Sequence, residues 1–254
     1  MIAYAPGVVE VRDVRGPAEL RACQAVQRRA WGITEDGYVV PVATMAAAQK
    51  VGGLVLGAFD GPTLVGFSFA FLGRLHGNLV LYSQLTGVEP DQQGTGVGRR
   101  LKFEQRRRAR EMGLDYVVWA FDPLQASNAS FNLAVLGATS RTYEVDLYGP
   151  RSDALNVGLA TDRLLVEWPT SGEPNRVDPN EWTDAPELTR TAKETDKVRI
   201  PIPADLAALK ATPELAIACQ QQVRAAFQAA FRAGYVAVGF ARGERPAYLL
   251  ERRA

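Results

Sequence analysis

A glycine-rich loop between a strand and a helix constrains this chain more than any other feature of its sequence. Residues 93–98 read QGTGVG, after the β-rich segment 78–88 and before a helical pattern over 98–112. The first N–H groups of a helix have no partner within it and, together with the helix dipole, they attract an anion. The loop therefore predicts a phosphate site, although three glycines also suit a plain strand-to-helix turn.

Other nucleotide-binding loops fit this sequence poorly. A P-loop requires Gly-x-x-x-x-Gly-Lys-Ser/Thr, whereas Arg99 and Arg100 follow this loop. A Rossmann loop requires Gly-x-Gly-x-x-Gly near the start of a βαβ unit. The spacing of Gly94, Gly96 and Gly98 departs from that pattern, and the loop follows a run of predicted antiparallel strands. Both alternatives are disfavoured.

The charge balance argues against a general attraction for polyanions. The 254 residues carry 29 Lys and Arg against 28 Asp and Glu, and 47% of them are apolar, which is ample for a buried core. We therefore expect no nucleic-acid partner and no membrane partner, and any anion site must be local. The sequence also shows no signal-peptide pattern and no apolar run long enough to span a bilayer.

Histidine and cysteine usage limits the chemistry further. His76 is the only histidine, which argues against histidine-based zinc sites and catalytic triads. Cys23 and Cys219 fall on apolar positions of predicted helices, where free cysteines act as small hydrophobic residues. We predict a cytoplasmic protein that uses no metal.

The order of predicted elements describes one large domain with an addition. From Val8 to Trp168 the order is β-α-α-β-β-β-α-β-α-β-β, ending with a helix over 128–136 and strands over 143–148 and 163–168. Four prolines interrupt the polar stretch that follows, which predicts a linker or extended arm. Residues 199–254 then read as β-α-β-β.

The loop and this element order resemble the GNAT superfamily of N-acetyltransferases over about two thirds of the chain. Residues 93–98 match its Gln/Arg-x-x-Gly-x-Gly/Ala signature, and residues 85–90, LTGVEP, resemble the strand end that precedes it. The resemblance implies an α/β (α+β) fold, in which helices flank a central mixed, mostly antiparallel sheet. A small C-terminal αβ subdomain would be added to that core.

The resemblance also implies a domain division. Residues 1–169 would form the acyl-CoA-binding catalytic domain, residues 170–198 a linker or arm, and residues 199–254 the C-terminal β-α-β-β subdomain. Because about 50 residues bury little core alone, we expect that subdomain to pack on the catalytic domain or on a second subunit, which allows a homodimer.

Acetyl-CoA or another acyl-CoA is the co-substrate that the resemblance implies. One set of residues would hold its pyrophosphate and pantetheine arm: Leu85, Gly87, Val88, Gln93, Gly94, Thr95, Gly96, Val97, Gly98, Arg99, Asn128 and Asn132. Arg99 joins this set as a cation in the first helical turn, although basic residues on a helix more often form a solvated face.

The catalytic acid departs from the family pattern. Many GNAT enzymes use a tyrosine on the helix after the central strand, but Leu133 occupies the matching position here. Tyr143 and Tyr148 on the next predicted strand are the substitutes, although strand tyrosines are more often simply packed. Glu89 beside the loop is a candidate base, and Glu35 lies in a region that shapes the acceptor site in the family.

The acceptor implied is a small-molecule amine, with amino acids favoured. Four short segments and the C-terminal subdomain resemble little-characterised GNAT proteins with an appended C-terminal segment: residues 122–132, 136–137, 148–149 and 161–163. Some of those proteins are associated with N-succinylamino-acid metabolism. That likeness suggests succinyl-CoA as a donor, and Arg163 could bind an acceptor carboxylate or pair with Asp162. The alternative function is a non-catalytic, GNAT-like module that binds acyl-CoA as a regulatory ligand.

Overall fold

A computed structural model describes residues 9–149, 158–188 and 195–253. The chain divides into two compact units, an N-terminal unit of residues 1–118 and a C-terminal unit of residues 119–254. The predicted domain boundaries at residues 169 and 198 stay predictions.

The described part of the N-terminal unit contains a mixed sheet and three α-helices. Its elements are β1 (Glu10–Asp13), α1 (Gly16–Trp31), α2 (Val42–Lys50), β2 (Leu54–Asp60), β3 (Thr63–Leu75), β4 (Asn78–Val88), α3 (Val97–Glu111) and the start of β5 (Tyr116–Phe121). Neighbouring strands from β1 to β4 pair antiparallel, and β5 pairs parallel to β4.

Alternation along the strands gives this sheet two apolar faces. Phe67 and Phe69 of β3 pack with Cys23 of α1 and Met45 of α2. On the other face, Leu56 of β2 packs with the helix α3 in a second buried cluster. Since successive strand side chains point to opposite faces, both faces are covered and the strand sequences are almost continuously apolar.

The C-terminal unit contains an antiparallel sheet in the order β7-β6-β9-β10-β8. Its elements are α4 (Ala126–Ala129), which continues as a π-helix (Ser130–Val135), β6 (Thr139–Glu144), β7 (Arg163–Pro169), β8 (Lys197–Pro201), α5 (Leu206–Lys210), α6 (Pro213–Arg232), β9 (Tyr235–Ala241) and β10 (Ala247–Arg252). The ladder of β6 with β9 joins the predicted C-terminal strands directly to the strands that precede residue 169.

The described part of the proline-rich stretch after β7, residues 170–188, is hydrogen-bonded to this sheet. Asn175 Nδ2 donates to the carbonyl of Val238 at 2.6 Å. Trp182 is buried, and its indole Nε1 donates to the carbonyl of Leu250 at 3.0 Å. Residues 175–182, which end in the 3₁₀ helix Pro179–Trp182, are therefore held on β9 and β10 by these two hydrogen bonds.

The strand predicted over residues 143–148 begins and ends about four residues earlier in the chain, at Thr139–Glu144. The sequence predicts a strand over 143–148, but β6 ends at Glu144, which pairs with Arg163 at the start of β7. Asp146 adopts a φ of +50°, a left-handed conformation that a strand cannot contain. Tyr148 consequently lies in the following loop.

No helix within the described parts of the chain combines the length and apolar character needed to cross a membrane.

Candidate functional site

The glycine-rich loop ends at the first residue of α3. Gly96 is the N-terminal cap of this helix with a φ of +93°, and Gly94 has a φ of +80°. A Cβ built on either glycine meets no atom within 4 Å, so the outer side of the loop is open. Thr95 Oγ1 donates to the carbonyl of Gln92 at 2.7 Å, and Gln93 Nε2 donates to that of Val88 at 3.3 Å.

Backbone N–H groups converge at this open end of α3. Within the described residues, no hydrogen bond engages the N–H groups of this set: Gly94, Gly96, Val97, Gly98 and Arg99. The first bonded N–H of the helix is that of Arg100, which donates to the carbonyl of Gly96 at 3.0 Å. Unsatisfied donors and the positive end of the helix dipole make this end a cradle for an anion.

The basic residues of α3 differ in what they contact. Arg107 pairs with Glu104 at 2.6 Å, and Arg108 pairs with Asp13. The guanidinium of Arg99, in the first turn, lies 5.3 Å from the centre of the Phe103 ring. The run of arginines is thus partly a network of surface ion pairs, and Arg99 is a cation next to the open N–H groups.

The strand that enters the loop has one open edge. Its parallel ladder with β5 consists of Leu81 with Val117 and Tyr82 with Val118. Past Tyr82, the described strands offer β4 only β3 as a partner, and a register shift there leaves Gln84 as a bulge. Among the described residues, the backbone groups of β4 that point away from β3 between residues 83 and 88 are open to an extended ligand, except the Val88 carbonyl, which accepts from Gln93 Nε2.

The predicted arm-binding residues lie on this strand. Leu85 packs into the core beneath α1. A Cβ on Gly87 would lie 3.1 Å from both Phe67 and Trp31, so close packing requires glycine at this position. Val88 packs on the α3 side of the sheet.

The N–H of Glu89 donates to the carbonyl of Val65, so by alternation along the ladder the backbone groups of Leu85 and Gly87 face β3, and those of Thr86 and Val88 face the open edge. The structure therefore corrects the predicted set: Val88 can offer a backbone group to a ligand at the edge, whereas Leu85 and Gly87 cannot.

Glu89 and Glu35, the acidic candidates of this unit, have different surroundings. Glu89 accepts three hydrogen bonds from Arg29, at 2.6, 2.9 and 3.1 Å, and its side chain is mostly buried. This contact raises the pKa of Arg29. Glu35 is exposed and precedes a short 3₁₀ turn, Asp36–Tyr38. The ion pair gives Glu89 a structural role at the base of the loop.

A buried polar strip lies between α3 and the strands beneath it, and sequence reasoning missed it. We define the strip by these residues: Ser68, Ser83, Thr86, Lys102 and Gln105. Lys102 Nζ donates to Ser83 Oγ at 2.8 Å, and that hydroxyl donates to Gln105 Oε1 at 2.9 Å. Among the described residues, no group bonds Gln105 Nε2 or the hydroxyls of Ser68 and Thr86.

Burial lowers the pKa of Lys102 to about 7. The spacing along α3 could have indicated the polar strip. Gln105 lies four residues after Leu101, on the apolar face of the helix, and Lys102 lies next to that face. A polar residue on the inner face of a helix marks either a paired group or a functional one.

The Lys102 amine makes the stability of the protein depend on pH. Between its folded pKa of about 7 and its unfolded value of ~10.4, the unfolded state binds one more proton, so stability rises by about 1.4 kcal/mol per pH unit. From pH 7.5 to 9 we expect the unfolding free energy of the wild type to gain about 2 kcal/mol relative to Lys102→Met. Urea titrations at several pH values measure this difference. The exposed Lys50→Met is the control, and parallel profiles for all three proteins contradict the expectation.

The predicted asparagines lie in the C-terminal unit and differ in exposure. Asn128, in α4, is exposed. Asn132 is buried in the π-helix, and its Oδ1 accepts a hydrogen bond from Trp119 Nε1 at 3.2 Å. Asn132 therefore serves the packing of Trp119, whereas the amide of Asn128 is accessible to a ligand.

Tyr143 belongs to a buried ion-pair cluster centred on Asp162. The Tyr143 hydroxyl donates to Asp162 Oδ2 at 2.7 Å, and Arg224 of α6 donates to both carboxylate oxygens at 2.8 and 2.9 Å. Burial, and then the adjacent carboxylate, raise the pKa of Tyr143 far above its usual value. Since its proton is held by Asp162, Tyr143 fits a structural role better than that of an acid.

The sequence offered an Asp162–Arg163 ion pair, and the structure corrects the partner. The carboxylate of Asp162 pairs with Arg224, whereas Arg163 Nη1 donates to the backbone carbonyl of Asp162 at 2.7 Å. The guanidinium of Arg163 lies 5.2 Å from the centre of the Tyr148 ring. Tyr148 and Arg163 are therefore neighbours, and the tyrosine side chain is 41% exposed.

Solved structures identify the fold. Three matches are the ribosomal-protein-S18-alanine N-acetyltransferase of Escherichia coli (16% identity, TM-score 0.51, 67% of this chain and 99% of that one), a GNAT-family protein of Desulfovibrio desulfuricans (15%, 0.51, 65% and 100%), and yncA of Salmonella typhimurium with its cofactor acetyl-CoA (19%, 0.53, 66% and 96%). The chain has the GNAT fold. The predicted fold class is confirmed.

The GNAT fold accounts for only part of this chain. About one third of the residues lies outside each match, although each match covers nearly the whole of the other protein. No protein-family model matches the sequence, and no curated protein matches it either. At identities below 20%, the likeness establishes the fold alone.

Proposed function

We propose that the protein transfers an acyl group from acyl-CoA to the amine of a small molecule, by direct attack in a ternary complex. The observation that carries this proposal is the cradle of open N–H groups at the start of α3, which adjoins the open edge of β4 in a GNAT fold. A pyrophosphate suits the cradle, and an amide-containing arm suits the strand edge.

The donor is acetyl-CoA or succinyl-CoA. The loop from Gln93 to Gly98 and the cation of Arg99 would hold its phosphates, and the backbone groups of Thr86 and the N–H of Val88 would pair with the pantetheine amides. Acetyl-CoA is the cofactor named for yncA of Salmonella typhimurium, which supports a CoA thioester as the donor class.

The acceptor is a small amine, and an amino acid is favoured. In the C-terminal unit, Arg163 next to the exposed ring of Tyr148 offers a cation and an aromatic surface, which suit a carboxylate-bearing acceptor. Glu35, in the N-terminal unit, is a separate candidate, because its exposed carboxylate would attract an ammonium group. The E. coli relative acts, by its name, on an alanine of a ribosomal protein, so peptides belong in the same test.

The reaction needs a neutral amine and a proton for the departing thiolate, but no covalent intermediate. Of the two predicted tyrosines, only Tyr148 is exposed, and the hydroxyl of Tyr143 is bonded to Asp162.

Release of free thiol tests the function. Purified protein is mixed with acetyl-CoA or succinyl-CoA and a panel of amino acids, polyamines and short peptides with free N-termini. We expect thiol release above the rate without acceptor for at least one amino acid, and mass spectrometry should find the acylated product.

One observation favours the alternative of a non-catalytic acyl-CoA-binding module. Leu133, at the position where many GNAT enzymes carry their acid, is fully buried in the core. Tight CoA binding without thiol release across the panel would support this alternative, whereas product formation by any acceptor would exclude it.

A further inference from the structure

The buried amine of Lys102 lies at the point where β4 loses its second strand partner. Lys102 Nζ donates to Ser83 Oγ at 2.8 Å, and Ser83 directly follows Tyr82, the last residue of β4 that pairs with β5. Lys102 is only 4% exposed, so its side chain reaches Ser83 through the interior beneath α3.

The length of a pantetheine arm matches the distance from the anion cradle to Ser83. The arm has about twelve bonds between its phosphate and its sulphur. Four residues of backbone contain the same number of bonds, so the extended arm spans roughly 13 Å. From Val88 back to Gln84, four residues of β4 cover about the same distance. An arm paired with the open edge of β4 therefore ends with its sulphur near Ser83 and Gln84.

We infer that Lys102 is the acid that protonates the departing CoA sulphur, in place of the tyrosine that Leu133 replaces. The inference rests on the proposed function. The neutral acceptor amine attacks the thioester carbonyl, and a C–N bond forms. The C–S bond breaks, and the sulphur takes a proton from the Lys102 ammonium group. The proton lost by the acceptor goes to solvent, and the lysine regains one from solvent.

Two further features of the polar strip support this role. Gln105, which is fully buried, accepts from the Ser83 hydroxyl and has an Nε2 that bonds no group among the described residues. It is a second donor in the same place, of the kind that a developing thiolate would use. Burial lowers the pKa of Lys102 to about 7, which suits an acid that must give up its proton near neutral pH.

The ionisation of the bound CoA thiol tests the inference without any acceptor. The ultraviolet absorption of the thiolate is followed against pH for CoA bound to the wild type, to Lys102→Met and to the exposed control Lys50→Met. In the wild type and the control we expect the bound thiol to ionise at least ~1 pH unit below the ordinary thiol value of about 8.5, because an ammonium–thiolate pair forms. In Lys102→Met this lowering should be lost.

Desulfo-CoA, which lacks the sulphur, separates the two proposals. We expect its dissociation constant to agree within about twofold among the three proteins, since it keeps every other contact. A wild type that binds CoA without any lowering of the thiol pKa overturns the role of Lys102 and leaves the proposed function intact. A wild type that binds neither CoA nor desulfo-CoA overturns both.

Discussion

Replacing Gly96 with aspartate should weaken CoA binding by about 100-fold. Gly96 has a φ of +93°, so a side chain adds about 1–2 kcal/mol of backbone strain that favours rearrangement of the loop. The new carboxylate also faces the bound phosphates at the helix N-terminus, where a favourable charge is worth up to ~2 kcal/mol. Together these effects amount to about 3 kcal/mol, which is about 100-fold in the dissociation constant. Isothermal titration calorimetry with CoA measures it.

Gly61→Asp is the matched control for this variant. Gly61 lies in the turn between β2 and β3, has a φ of +56°, and offers open space to a Cβ, as Gly96 does. It carries the same strain and charge away from the loop, so its CoA affinity should equal that of the wild type. Equal affinities for Gly96→Asp and Gly61→Asp would show that the open end of α3 is not the phosphate site.

The sequence predicts the N-terminal unit well because its signals are local. The Asp60-Gly61 turn predicts the β2–β3 hairpin, and Gly61 has the positive φ that such a turn needs. The glycines of the loop likewise predict the start of α3, where Gly94 and Gly96 adopt left-handed conformations. Each feature depends on a few consecutive residues, so spacing alone reveals it.

Features that depend on distant partners could not be predicted in this way. The helix after β5 widens into a π-helix at Ser130–Val135, and no residue pattern in that stretch indicates the change. The polar strip depends on the bulge at Gln84, which turns Ser83 and Thr86, three residues apart, to the same face of the sheet. A one-residue irregularity in strand register therefore determines which side chains meet Lys102.

The Asp162 cluster shows the same limit at longer range. Tyr143 and Arg163 are near Asp162 in sequence or along the β6–β7 ladder, and both could be singled out as polar residues of predicted strands. Arg224, which binds the carboxylate, lies 62 residues later on α6. The sequence predicts α6 as an amphipathic helix but does not show which strand end it covers, so it suggests the adjacent Arg163 as the partner of Asp162.

Replacing Asp162 with asparagine should destabilise the protein by about 3 kcal/mol. The Asp162 side chain is fully buried and binds Arg224, Tyr143 and the N–H of Asp146. Removing one member of a buried ion pair costs about 3–5 kcal/mol because the other charge loses its partner, and partial exposure of Arg224 puts the effect at the low end. Chemical denaturation of the full chain, followed by circular dichroism, measures the change.

An exposed ion pair of the same unit provides the control. Glu187 and Arg245 also pair at 2.7 Å, but the arginine side chain is 78% exposed, so Glu187→Gln should cost less than about 1 kcal/mol. Adding Arg224→Met to Asp162→Asn should recover part of the lost stability, since the unpaired guanidinium is then removed. If Asp162→Asn costs no more than Glu187→Gln, the cluster does not stabilise the fold.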